Sequence, residues 1–198
     1  MNRHEQRSEE TRGRLLRAAE ACFARSGYDG TGVAEICEAA GVSKGAFYHH
    51  FATKHQVFLA LLNGWLARLE ANLASVRDEA TSVPDALHAM VGVASVVLRD
   101  ADDQVPIYLE YLVQARRDPA LWHATIEPIR RFRAFFAQLI ERGIAEGSLH
   151  PVEPNAAART IVSLGIGLLL QALLDPDDRD PAASFSEGIR LALGSLWR

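Results

Sequence analysis

At 198 residues and 48% hydrophobic, the chain can bury a sizeable core, as one large domain or two small ones. Its formal net charge of −4 excludes indiscriminate, charge-driven binding to nucleic acid, although residues 1–55 hold 8 Lys+Arg against 7 Asp+Glu while the remainder hold 13 against 18. Cys22 and Cys37 read as small core residues rather than a disulfide framework, the charged N-terminus has no apolar leader segment, and the most apolar run, Ile161–Leu174, is too short to span a bilayer, so a cytoplasmic location is expected.

Residues 1–7 form a polar stretch expected to fray. Ser8 followed by Glu9 and Glu10 opens a first helix, with acids at its positive end. Leu15, Leu16, Ala19, Cys22 and Phe23 line its inner face, Gly27 stops it, and Tyr28 packs back on the helices that follow. Val33, Ile36, Cys37 and Ala40 recur at helical spacing, and Gly41 ends that helix as a left-handed C′ residue. Ser43 caps the next, where Phe47 and Phe51, four apart, point inward. Lys44, Gly45, Ala46, Tyr48 and His49 are left facing out, and His4, His49, His50 and His55 are expected to add positive charge nearby. Thr53-Lys54-His55-Gln56 is a capping box. It opens a long helix to Glu79 along the stripe Phe58, Leu61, Leu62, Trp65, Leu66, Leu69 and Leu73, with no flexible linker, so this helix is expected to link the two halves mechanically.

Pro84-Asp85 opens a helix to about Leu98, and Asp100, Asp102 and Asp103 mark a turn. A shorter helix, Val105 to Arg116, turns Ile107, Tyr108, Tyr111 and Leu112 inward. Asp118-Pro119 begins a long helix that Gly147 stops, Pro154 begins one that ends at Asp175-Pro176, and Asp180-Pro181 begins the last. No run alternates like a strand, and nine helices in an all-α fold are expected.

Helix, glycine turn and helix, with small, basic and aromatic residues on the outward face, is the helix-turn-helix arrangement, whose second helix enters the DNA major groove. In that setting Lys44 suits guanine or phosphate, and Gly45 and Ala46 let the backbone approach the groove floor. The string TGVAEICEAAGVSKGAFYHHFATK, Thr31 to Lys54, resembles the signature of TetR-type transcriptional regulators, and the likeness runs from about Glu9 to Trp65. It implies a DNA-binding head at residues 8–55, with the helix-turn-helix at 32–51, and a ligand-binding and dimerisation domain at 56–198. The DNA-contacting set it implies is Thr31, Gly32, Val33, Ala34, Ser43, Lys44, Gly45, Ala46, Tyr48, His49 and Lys54, with Lys54 on a phosphate. Gly32 departs from the Ser or Thr common there, and Cys37 from the usual Ala.

The resemblance also implies a pocket for a small-molecule inducer in the C-terminal bundle. The aromatic and apolar candidates are Trp65, Leu69, Tyr108, Tyr111, Trp122, Phe132, Phe135 and Phe136, although the same spacing serves core packing. Glu110, Gln114, His123 and Gln171 stand near these faces as lining or surface residues, and Gln171 joins the candidate set. Ser163, Gly165 and Gly167 suggest close helix approach, and by resemblance the last two helices form a dimer interface through Gly167, Leu169, Leu173, Ile189, Leu193 and Leu196. The partners expected are an operator in double-stranded DNA, an inducer and a second copy. The expected action is that of a repressor released from a near-palindromic operator. No cofactor is expected, and no metal at His49, His50 and His55, since adjacent helical residues point about 100° apart. Two alternatives stand beside this reading: a helical ligand-binding or interaction protein whose head no longer binds DNA, and a helical-bundle enzyme, for which no nucleophile–base pair is visible.

Overall fold

The computed structural model describes residues 3–100, 104–174 and 180–194. Among them are nine helices and no strand: α1 (Arg3–Gly30), α2 (Val33–Ala40), α3 (Lys44–His50), α4 (Lys54–Glu79), α5 (Val83–Asp100), α6 (Gln104–Ala115), α7 (Pro119–Ala145), α8 (Pro154–Leu174) and α9 (Pro181–Gly194). The expected acidic turn at 102–103, the helix end at Asp175-Pro176 and the interface candidate Leu196 lie outside the described residues, as do the side chains of Tyr108, Gln114, Leu169 and Leu173.

Three local expectations are corrected. The helix expected to start at Ser8 already runs from Arg3, because Arg, Glu and Gln are good helix formers even where no apolar stripe advertises a helix. Gly27 does leave helical geometry, at φ 71° and ψ 172°, yet α1 resumes beyond that kink to Gly30. The caps follow sequence chemistry closely. Asp180 Oδ1 accepts from the Ala183 N–H at 3.0 Å, and Ser82 rather than Pro84 opens α5, its Oγ accepting from Asp85 N at 3.2 Å. Pro128 lies buried inside α7 without ending it, at the loss of one rung of the backbone ladder.

The chain forms two compact units, and they do not follow a single cut in the sequence. The first comprises residues 1–65 and 103–125, the second 66–102 and 126–198. One boundary therefore falls inside α4 and another inside α7. The apolar stripe of α4 changes allegiance there: Phe58, Leu61 and Leu62 serve the first core, whereas Leu66, Leu69 and Leu73 serve the second.

In the first unit α1 packs against α2 and against α6. Leu15, Ala19, Cys22 and Phe23 of α1 meet Ile36, Cys37, Phe47, Phe51, Val57 and Phe58, closed over by Ile107, Tyr111 and Ala115 of α6. Those three α6 residues are four apart, one stripe of a helix. In the second unit α9 packs on α5 and α8. Its core includes Val83, Leu87, Met90, Phe132, Leu139, Ile140, Leu149, Phe185, Ile189 and Leu193. Gly143 of α7 is required by close approach: a Cβ there would stand 2.6 Å from Leu149 Cδ1 and 2.9 Å from Val83 Cγ1. Beside it Glu146 Oε1 accepts from Val83 N–H at 3.0 Å, so the end of α7 caps the start of α5. That bond and one from Ser148 hold the Glu146 carboxyl below its ordinary range.

Candidate nucleic-acid interface

The geometry of α2, its turn and α3 is built from short-range bonds. Gly41 sits at φ 62°, ψ 43°, the left-handed conformation that spares glycine a Cβ clash. The Gly41 and Val42 N–H groups donate to Glu38 O and Cys37 O, both at 3.0 Å, which is the Schellman pattern. Ser43 Oγ then accepts from the Ala46 N–H at 3.1 Å and opens α3. Phe47, fully buried, anchors the underside of α3, a burial that contributes roughly 1.5–3 kcal/mol. The opposite side is open. Ser43, Lys44, Gly45, Tyr48 and His49 are exposed, Ala46 partly so, and Tyr48 is 55% exposed although its ring rests edge-on against Phe47. Gly32 and Ala34, at the start of α2, are exposed too. Gly32 is the N-cap in extended geometry. Lacking a side chain, it leaves Glu35 to supply the polar partner, accepting from the Gly32 N–H at 3.4 Å.

Arg14 completes the turn in a way no local signal announced. Its Nε donates to Ala40 O at 3.1 Å and its Nη2 to Gly41 O at 2.8 Å, which satisfies carbonyls the helix end leaves without partners. This guanidinium from α1 pins the turn between α2 and α3.

Four sequence expectations are revised here. Lys54 was expected on a phosphate, but its ammonium is folded inward. It donates to Tyr28 O at 2.6 Å and Thr31 O at 2.9 Å and lies 4.4 Å above the Tyr28 ring centroid. Burial pushes it down from the ordinary lysine range, against the opposing pull of Asp29. Thr31 is buried, with its Oγ1 2.8 Å from Gly27 O and 3.0 Å from Cys22 O, so its hydroxyl faces the interior. Val33 is partly buried and packs against the core. The box at α4 is displaced by one residue: Thr53 Oγ1 accepts from Gln56 N at 3.2 Å, but Gln56 Oε1 accepts from Ala52 N at 2.8 Å.

His55 is a fifth correction, since it adds no charge to the outer face. It is buried, and its Nε2 lies 2.9 Å from the Tyr111 hydroxyl. Tyr111 Oη lies 2.9 Å from Thr125 Oγ1, which donates to Leu121 O at 2.8 Å. With the Thr125 proton committed to that carbonyl, Tyr111 donates to Thr125 and His55 Nε2–H donates to Tyr111. The chain therefore runs one way and fixes the imidazole tautomer. Burial lowers the His55 pKa, with Asp118 opposing. His50, half-buried, is lowered as well, by burial first and then by His49 and Arg12, against Glu9. His49 and Lys44 remain exposed on the outward face.

Most of the expected pocket residues take part in the core of their own unit. Tyr111 and Trp122 belong to the first core, Tyr111 fully buried and Trp122 under the Arg116 guanidinium at 5.4 Å. Leu69, Phe132, Phe135 and Phe136 belong to the second. Trp65 is half-buried and Gln171 is exposed. The interface candidates Ile189 and Leu193 are buried in the chain's own second core, because they form the inner stripe of α9. Gly165 stands against the Phe185 ring of the same chain, whereas Gly167 faces open space. Among the described residues, the large apolar side chains left outside on these helices are Leu191, 75% exposed, and Ile166, 40% exposed. Among the described residues no group of three or more His, Cys, Asp and Glu could hold a metal, and no helix is long and apolar enough to cross a membrane.

Comparison with known proteins agrees with this geometry. The family described as "Bacterial regulatory proteins, tetR family" matches residues 15–61, and "BetI-type transcriptional repressor, C-terminal" matches residues 83–186. The HTH-type transcriptional regulator CymR of Pseudomonas putida is 34% identical over 150 residues, covering 71% of this chain and 70% of that protein. The HTH-type transcriptional regulator UidR of Escherichia coli (strain K12) is 24% identical over 197 residues, covering 99% and 97%. A TetR transcription regulator from Haloarcula marismortui superposes with a TM-score of 0.84 at 19% identity, over 96% of this chain and 100% of that one. With its tightly capped helix-turn-helix and these matches along nearly its full length, the chain belongs to the TetR family of bacterial transcriptional regulators.

Proposed function

We propose that the protein is a cytoplasmic, homodimeric repressor that binds a near-palindromic operator through α3 and leaves it when a small molecule binds the C-terminal unit. The observation that carries the DNA reading is the outward side of α3, where Lys44, Gly45, Tyr48 and His49 stand exposed on a helix whose other side is locked by Phe47, Ser43 and the Arg14-pinned turn. Lys44 and the first turn of α3 read base edges, Ala46 lies against the groove, and Tyr48 and His49 meet phosphate or base. Ser43, Gly32, Val33 and Ala34 contribute at the helix starts, where backbone N–H groups attract phosphate. Lys54 and Thr31 act from behind, shaping the segment that carries α2.

Leu69, Phe132, Phe135 and Phe136 line the inducer site in this reading. The exposed Leu191 and Ile166, with Gly167, form the surface that meets a second copy. The protein acts by binding and leaves its ligand chemically unchanged, a point that recovery of intact ligand after incubation checks.

The decisive experiment is binding to DNA flanking the protein's own gene across a salt series, wild type against Tyr48→Ala. Saturable, sequence-dependent, salt-sensitive binding that the substitution weakens is expected. Failure to enrich any sequence from random DNA would sink the DNA reading. Leu191→Glu is expected to shift the sedimenting species to monomer, and an unchanged dimer refutes that surface.

A further inference from the structure

The stretch from the kink in α1 to the start of α2 is held by two side chains that arrive from far along the chain. At its start Gly27 leaves helical geometry. The Tyr28 N–H is thereby turned away from the helix ladder and donates instead to Glu110 Oε2 of α6 at 2.8 Å, across 82 residues of sequence. The fit is tight: a Cβ at Gly27 would stand 2.8 Å from that same oxygen. At the other end Lys54 holds Tyr28 O and Thr31 O, and the next residue, Gly32, is the N-cap of α2. Glu110 therefore bonds the backbone at the place from which α2, and through the Gly41 turn α3, take their direction.

Packing alone does not call for this bond. α6 is already seated by Ile107, Tyr111 and Ala115, all buried in the apolar core. Glu110 lies on the exposed side of that helix and reaches past the core to a single main-chain N–H. A carboxylate accepting from a backbone N–H makes a charge-assisted bond, roughly twice as strong as a neutral one. Its neighbour Tyr111 bonds His55 of α4 and Thr125 of α7, so two consecutive residues of α6 tie it to three other elements.

We propose that Glu110 is a positioning residue for DNA binding: through the Tyr28 N–H it fixes the pose of α2 and α3 to the position of α6. It touches no DNA itself. This rests on the reading of α3 as the DNA-contacting helix. A displacement of α6 that breaks the bond frees the α1–α2 segment and loosens the helix pair without unfolding the core.

The test uses the full chain with Glu110→Ala and Glu110→Gln, which keeps a neutral acceptor. Amide hydrogen exchange is read by residue, and affinity is measured for a sequence selected from random DNA by the wild type. Glu110→Ala is expected to speed exchange at the Tyr28 amide and along α2 at least tenfold while α8 and α9 keep wild-type protection. It is expected to weaken DNA binding by roughly 5- to 150-fold, the usual span of a coupling between sites. Glu110→Gln is expected to fall between Glu110→Ala and the wild type in both readouts. Unchanged protection at Tyr28 and α2 in Glu110→Ala overturns the proposal. So does a uniform loss of protection that includes α8 and α9, which would mark a merely structural role. If the wild type selects no DNA sequence, the DNA reading falls, and with it Glu110's part in DNA binding, whereas the exchange data separately report whether the bond holds α2.

Discussion

The two units are held together by different means. The first places side-chain hydrogen bonds across long sequence distances: Arg14 on the α2–α3 turn, Lys54 and Glu110 on the α1–α2 segment, and the one-way chain from His55 through Tyr111 to Thr125. In the second the notable device is close apolar approach at glycines, with Gly143 against Leu149 and Val83 and Gly188 against Leu168. Among the described residues its long-range polar ties include the Glu146 cap on Val83 and the Arg131–Glu70 pair. Directional bonds fix orientation, and apolar contacts fix volume but tolerate sliding. Under the proposed function, a reader of DNA needs the first property, and a unit that adjusts to a small molecule can work with the second.

The sharpest way to break this contrast is to overfill the second unit. Gly143→Val should lower unfolding stability by roughly 3 kcal/mol, since Leu149 and Val83 leave no room for the added carbons. A denaturation midpoint equal to that of wild type would show that the packing is slack. In the first unit the matching test removes one oxygen. Tyr111→Phe leaves His55 and Thr125 without their buried partner and should lose roughly 1–3 kcal/mol with the apolar core intact. A neutral result would mean the chain is dispensable.

Acidity sharpens the comparison further. His55 and His50 both have their pKa lowered in the folded state, chiefly by burial. The unfolded chain therefore binds protons first as pH falls below about 6.5. Their contribution is intact above that value and is lost progressively beneath it, until the folded-state pKa values are passed. The thermal midpoint should fall between pH 7 and 5.5, and His55→Gln should flatten the slope in part; an unaltered slope would remove His55 from the account. The smallest effect is expected from Arg25→Ala. Its pair with Glu35 lies in solvent, where ion pairs contribute little, and no measurable change in the midpoint is expected.

What was legible in the sequence follows from range. Val33, Ile36, Cys37 and Ala40, then Gly41 and Ser43, specify a helix, a turn and a cap through contacts within a few residues, and those elements stand as expected. Periodicity also picked out the inner stripes of α6 and α9 correctly, but it carries no information about what a stripe faces. Tyr111 read as pocket lining or core, and it is buried in the first core. Ile189 and Leu193 read as an interface and are buried in their own chain, while Leu191 between them points outward. Lys54 read as a surface cation because nothing near it in sequence shows that two carbonyls 23 and 26 residues earlier will claim its ammonium. Glu110 was one polar residue among several for the same reason.

The return of α6 to the N-terminal unit bears on how such proteins can be recombined. Cutting after Trp65 looks like a clean separation of head from body, yet it strips Ile107, Tyr111 and Ala115 from the head's core and leaves Phe58 without the ring stacked on it at 4.0 Å. A head transplanted onto a foreign body must find a replacement α6 waiting there. Exchange between relatives is therefore constrained to partners whose sixth helix carries a matching stripe, and the chain is modular only in units that keep α6 with the head it completes.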